Sequence, residues 1–185
     1  MNPIEELKAE HEGIKVSLEI LGRIVQRING SAASIDPGDL ENLVEFYRVF
    51  VDACHHGKEE ELLFPELEAL GVSREGGPIG VMLREHDAGR GHVRSIAQAL
   101  AGDPVHNPVA AEALKKAAEE YIGLLNAHIE KENGVLFRIA DQYLPAEKKD
   151  ELAEGYERIE RERVGVGRHE AFHRMLDELK RKYIG

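Results

Sequence analysis

Four long stretches of this chain place apolar residues three and four apart, the period of an α-helix, and each apolar stripe is broken by one histidine. The first runs Leu7, His11, Ile14, Leu18, Leu21, Val25 and Ile28, and the second Leu40, Val44, Tyr47, Val51, His55 and Leu62. The third is Ile79, Met82, His86, Val93, Ile96 and Leu100, and the fourth Leu114, Ala118, Tyr121, Leu125, His128, Glu132, Val135 and Ile139. β-Branched runs are rare, so no sheet is expected. Four amphipathic helices joined by short loops predict an all-α, up-down-up-down four-helix bundle over residues 1–144. Residues 145–185 read as a C-terminal helical extension packed on that bundle, with a break at Gly165-Val166-Gly167 before a last helix through Phe172, Met175, Leu176 and Leu179.

Turn chemistry places the boundaries. Asn29-Gly30 is a C-cap signal, Ser31 to Ile35 a small-residue loop, and Asp36-Pro37 an N-cap followed by a proline at the first helical position. The second helix is expected to kink or end around Pro65 and to stop before Gly71. Pro78 opens the third helix, Asp103-Pro104 and Asn107-Pro108 punctuate the next turn, and the fourth helix ends before Pro145.

Two of the histidine-bearing stripes add a carboxylate one turn on, Glu59 after His55 and Glu132 after His128. An i, i+4 pair shares one helix face, so each His-x-x-x-Glu aims an imidazole and a carboxylate at one point. A lone buried histidine is ordinarily a hydrogen-bonded core residue. Four imidazoles and two carboxylates in one apolar interior are different, because each unpaired buried charge costs several kcal/mol unless a cation organises it. The arrangement also repeats. Glu10-His11-Glu12 is echoed by Glu85-His86-Asp87, and His55-His56-Gly57-Lys58-Glu59 by His128-Ile129-Glu130-Lys131-Glu132. Two equivalent hairpins related by a pseudo-twofold axis would bring both sets to one centre, which suits two metal ions bridged by Glu59 and Glu132. Imidazole and carboxylate without thiolate favour iron, with manganese or zinc as possible substitutes.

The composition removes other classes of function. Lys plus Arg number 24 against 35 Asp plus Glu, a formal charge of −11 that repels phosphate backbones and anionic lipid surfaces, so no nucleic acid and no membrane partner is expected. No apolar run is long enough to span a bilayer, the N-terminus lacks the pattern of a signal peptide, and the single cysteine, Cys54, forms no internal disulfide. These features are read as those of a cytoplasmic protein.

The order His, His-x-x-x-Glu, His, His-x-x-x-Glu, with its signature segments Cys54 to Pro65 and His128 to Glu132, resembles the hemerythrin-like family, also called the HHE cation-binding domain, over roughly residues 3 to 142. The resemblance implies a four-helix bundle around a non-haem di-iron centre bridged by an oxo or hydroxo group. It implies His11, His55, Glu59, His86, His128 and Glu132 as ligands, with Glu59 and Glu132 bridging, and dioxygen or peroxide as the small ligand. The chain departs from the oxygen-carrying members at Arg90, where they have a second histidine on the third helix. His56 is the leading substitute ligand, the alternative being that it faces solvent or pairs with Glu60; His169 or Glu170 from the tail is a further candidate. A shell with one fewer ligand favours chemistry or exchange over simple oxygen carriage.

Other residues have plainer readings. His169-Glu170-Ala171-Phe172-His173 matches the zincin protease pattern without the context of such proteases, and a packing or surface role is expected for it. His92 and His106 are expected in solvent, Cys54 as a small buried hydrophobe, and Tyr47 and Tyr121 in the core, where they can also hydrogen-bond toward the centre. Of Glu59, Glu60 and Glu61, only Glu59 is expected to face inward. Two functions stay open, oxygen or peroxide handling and iron or oxygen sensing or holding without turnover; against both stands a purely structural polar core.

Overall fold

The computed structural model describes residues 2–28 and 36–185. Six helices follow in order, with no strand among the described residues. Helix α1 is Pro3–Ile28. Helix α2 covers residues 37–69, beginning as Pro37–Phe46, widening into π-helical turns at Tyr47–His56 and Glu59–Leu63, and finishing as Phe64–Ala69. Helix α3 is Pro78–Ala101; α4 covers residues 108–143, with a π-helical turn at Glu132–Leu136; α5 begins at Ala146–Ile159 and ends in a π turn at Glu160–Val164; α6 is Arg168–Tyr183. The expected C-cap at Asn29-Gly30 and the loop from Ser31 to Ile35 lie outside the described residues.

Helices α1 to α4 form a closed ring of neighbours, α1 against α2 and α4, and α3 against α2 and α4. This is the four-helix bundle that the stripes predict. The caps act as their chemistry requires: Asp36 accepts from the Gly38 N–H, and Asn107 from those of Val109 and Ala110. Gly71, at φ +91°, ends α2 in a backbone region that favours glycine.

Two details depart from a regular α-helix. First, α2 does not end at Pro65. The turn before it is π-helical, with the Phe64 N–H bonded to the Glu59 carbonyl five residues back, and this wider turn carries the chain past the proline to Ala69. Second, the apolar stripes of α2 and α4 shift phase after their glutamates. Leu63 and Leu136 are buried, whereas Leu62 is half-buried and Val135 is 44% exposed. The π turns Glu59–Leu63 and Glu132–Leu136 each begin at a glutamate and insert one extra residue, so the inward line moves from Leu62 to Leu63 and from Val135 to Leu136.

The apolar interior divides into two clusters. One is built around Leu18, Leu21, Phe46, Tyr47, Ile96, Leu114 and Tyr121, and the other around Ile4, Leu7, Phe64, Leu67, Ile79 and Phe137. The histidines and glutamates lie between them. The tail covers one side of the bundle: α5 packs on α1 and on the π turns of α2, and α6 on α1 and α2. Tyr156, Ile159, Val164, Phe172, Leu176 and Tyr183 are buried there, Arg163 pairs with Glu61, and the Tyr183 hydroxyl donates to Asp39 at 2.6 Å.

Candidate metal centre

Each helix of the bundle contributes to one buried cluster: His11 from α1, His55, His56 and Glu59 from α2, His86 from α3, and His128 and Glu132 from α4, all at most 3% exposed. Their ligand atoms fall into two groups, each gathered within 4.8 Å: His11, His55, Glu59 and Glu132 in one, and His56, Glu59, His86 and His128 in the other. Both carboxylates touch both groups. Glu59 lies 3.5 Å from His55 Nε2 through one oxygen and 3.5 Å from His86 Nε2 through the other. Glu132 lies 3.3 Å from His11 Nε2, 3.2 Å from His128 Nε2 and 3.9 Å from His86 Nε2. The i, i+4 spacing therefore acts as expected on both helices.

Four imidazoles are fixed from behind by their Nδ1 atoms. His55 donates to Glu10 at 2.7 Å, His86 to Glu60 at 2.7 Å, His128 to Glu85 at 3.0 Å, and His11 to the Asn133 side-chain oxygen at 3.0 Å. Oxygen acceptors on this side place the proton on Nδ1 and leave the Nε2 lone pair facing the two glutamates, the tautomer a metal ligand needs. Each outer carboxylate is in turn backed by a cation: Glu10 by Lys58 at 2.6 Å, Glu60 by Arg90 at 2.7 Å, and Glu85 by Lys131. Phe137 stacks on His11 and Phe64 on His86, so each phenylalanine closes over a histidine of the other hairpin.

These outer partners were not expected from the sequence, and Glu60 corrects the reading of it as solvated. The signal was present in the repeat. Glu10 and Glu85 each precede an inward-facing histidine by one residue, Lys58 and Lys131 each precede a buried glutamate, and Glu60 and Asn133 each follow one. Arg90 is explained in the same way, since it secures the carboxylate that orients His86 while also pairing with Asp52. His56 neither faces solvent nor pairs with Glu60: its ring stacks on His86 at 3.8 Å. Its counterpart in the repeat is the buried Ile129, which gives the His56 group one imidazole more than the His11 group. His169 and Glu170 lie outside both groups. The tail reaches this region through Tyr156, which is fully buried with an unpaired hydroxyl, and through Glu160, 3.8 Å from Lys58.

Among the other residues weighed, Tyr47 donates to the Ser17 carbonyl at 3.0 Å and packs edge-on against Tyr121. Cys54 is buried, and burial pushes its thiol up to about 12. His92 is half-buried 3.5 Å from Glu120, and His106 is exposed beside Asp103.

The electrostatics show what kind of group the cluster suits. All four oxygens of Glu59 and Glu132, and Nε2 of His11, are buried without a hydrogen-bond partner. Burial, and then the neighbouring Glu132, push Glu59 well above the usual carboxylate range. Burial also acts to raise Glu132, but His128 and His11 outweigh it and hold Glu132 well below that range. Burial lowers His55 to about 4 despite Glu10, and burial, with help from His86 and His55, also holds His56 well below the usual imidazole range. Glu10, where His55 and Lys58 overcome burial, falls to about 2. Unpaired buried carboxylates facing bare imidazole nitrogens are unfavourable alone and favourable around cations. The residues present fit a metal centre.

Comparison with known proteins identifies the family: the Hemerythrin HHE cation binding domain matches residues 2–140. The chain belongs to the hemerythrin HHE cation-binding family. Two similar proteins, Uncharacterized protein Rv1995 of Mycobacterium tuberculosis and Uncharacterized protein Mb2018 of Mycobacterium bovis, are each 26% identical over 175 residues, 95% of this hemerythrin-like chain and 66% of theirs. The chain thus spans about two thirds of their length. The iron-sulfur cluster repair protein YtfE of Dickeya chrysanthemi is 37% identical over 86 residues, 45% of this chain and 38% of that protein. No solved structure matches significantly. Among the described residues, no helix of this hemerythrin-like chain is long and apolar enough to cross a membrane.

Proposed function

We propose that this hemerythrin-like chain holds two iron ions through His11, His55, His56, Glu59, His86, His128 and Glu132, with Glu59 and Glu132 spanning the pair, and that the site meets dioxygen or peroxide. The observation that carries this reading is the position of the two carboxylates, each unpaired, fully buried and within 3.9 Å of imidazoles from both ligand groups. A nitrogen and oxygen donor set without thiolate suits iron, and accepts manganese or zinc. Two ferrous ions held there would supply two electrons to a small oxygen species.

The protein's own part is binding, orientation and exclusion of water. The Nδ1 bonds to Glu10, Glu60, Glu85 and Asn133 hold the four imidazoles in one tautomer. The two apolar clusters close the site above and below. A cavity of about 180 Å³, lined by Tyr47, Asp52, His56, Arg90 and Tyr121 among others, reaches the His56 edge and is large enough for a small ligand. Ile129 stands where the twofold-related counterpart of His56 would be, so the His11 and His55 group offers two imidazoles against three in the His56 group.

Anaerobic loading with Fe²⁺ followed by air or hydrogen peroxide tests the reading. Near-ultraviolet bands that grow on exposure support it, and an iron-loaded protein whose spectrum ignores both reagents overturns the oxygen or peroxide part. The likeness to a relative named for iron-sulfur cluster repair favours a second reading, iron holding or sensing without turnover. That reading predicts stoichiometric iron, no catalytic loss of peroxide, and protease sensitivity of the tail that follows iron occupancy.

A further inference from the structure

The tail carries two histidines, His169 and His173, that the buried centre does not use. They sit one turn apart on α6, on one face, with ring centroids 4.6 Å apart. His169 Nδ1 is 3.8 Å from a Glu160 oxygen. Both histidines line a surface groove of about 210 Å³ together with Glu6, Glu10, Glu157 and Glu160. This is an acidic groove holding two imidazoles, and Lys58, 3.8 Å from Glu160, is already engaged: it is buried and bonded to Glu6 at 2.7 Å and to Glu10 at 2.6 Å. Glu157 has no ion pair among the described residues.

We propose that His169, His173 and Glu160, with Glu157 beside them, form a separate surface site for one divalent transition-metal ion. Two imidazoles one helical turn apart chelate such an ion from one side, and a facing carboxylate closes the set. The imidazole pair selects zinc, cobalt, nickel or ferrous ions over magnesium and calcium, which need oxygen shells. Unlike the buried groups, these ligand atoms are not already gathered. His173 is exposed and the side chains of His169 and Glu160 are about 30% exposed, so rotation about their side-chain bonds can bring them together at small cost. Glu160 also approaches Lys58, and Lys58 secures the Glu10 carboxylate that orients His55, so the groove adjoins the outer partners of the buried centre.

The site does not depend on the reading of the buried centre, and its test is a difference between two proteins. Iron-loaded wild type, freed of excess metal, is titrated with Co²⁺, followed by visible absorption, and with Zn²⁺, followed by calorimetry. One further equivalent is expected beyond the iron. The double variant His169→Ala/His173→Ala is expected to keep its iron and helicity and to bind that extra ion about 100-fold more weakly or worse, because losing ligands costs at least as much as losing their supporting partners. Equal uptake by both proteins, no uptake by wild type, or loss of buried iron in the double variant would each overturn the proposal. Should neither protein load iron, the same difference in Co²⁺ uptake still decides it.

Discussion

At the scale of the residue, the centre depends on side chains that never touch its inner space. Glu60 accepts from His86 Nδ1 and is held by Arg90, so Glu60→Ala frees the ring to turn and leaves a buried N–H unpaired. The expected result is a loss of metal affinity of about 10–100-fold with helicity unchanged, measured by chelator competition. His56→Ala removes a proposed ligand and is expected to weaken one ion more than the other, whereas His92→Ala leaves metal content as it was. Equal iron in wild type and His56→Ala would return His56 to a packing role against His86. The inner residues were legible in the sequence because a histidine interrupting an apolar helical stripe is costly and the interruption recurs in both halves. Glu10, Glu60, Glu85 and Asn133 were not, because a polar residue beside a ligand is indistinguishable from a solvated one until the facing helix is in place. The repeat around Glu10-His11 and Glu85-His86 was the available clue.

At the scale of the element, the π-helical turns decide where the buried glutamates point. Periodicity shows that α2 and α4 are helices, and Asp36-Pro37 and Asn107-Pro108 show where they begin. It does not reveal that the turns after Glu59 and Glu132 each hold an extra residue, since the apolar pairs Leu62-Leu63 and Val135-Leu136 satisfy either phase. The expected stop before Gly71 matches the end of α2 at Ala69, beyond Pro65. Deleting Leu62 removes the extra residue while leaving Leu63 and Phe64 in register with the core. The expected protein keeps its helical circular dichroism and loses metal affinity, because Glu59 is re-aimed. Unchanged affinity in a folded deletion variant would show that the widened turn does not set the carboxylate.

At the scale of the whole molecule, the proposed centre predicts a coupling between metal binding and stability. Two apolar clusters enclose a layer of histidine and glutamate that has no internal partner for its four carboxylate oxygens, so a metal bound there is expected to be thermodynamically linked to folding. Stripping the metal is expected to lower the melting temperature. At a free metal concentration 100 times Kd the linkage is worth about 2.7 kcal/mol, and a chelated sample that melts with the loaded one would show no such coupling. The four-helix architecture was legible from the stripes alone. The way α5 and α6 cover α1 and α2 was not, because their own amphipathic patterns do not say which face of the bundle they meet. The most direct test of the central claim is iron content per chain after anaerobic loading, in wild type and in Glu132→Ala. Two carboxylates shared between two ions predict about two irons in wild type and at most one in the variant; full iron in Glu132→Ala, or none in wild type, would contradict it.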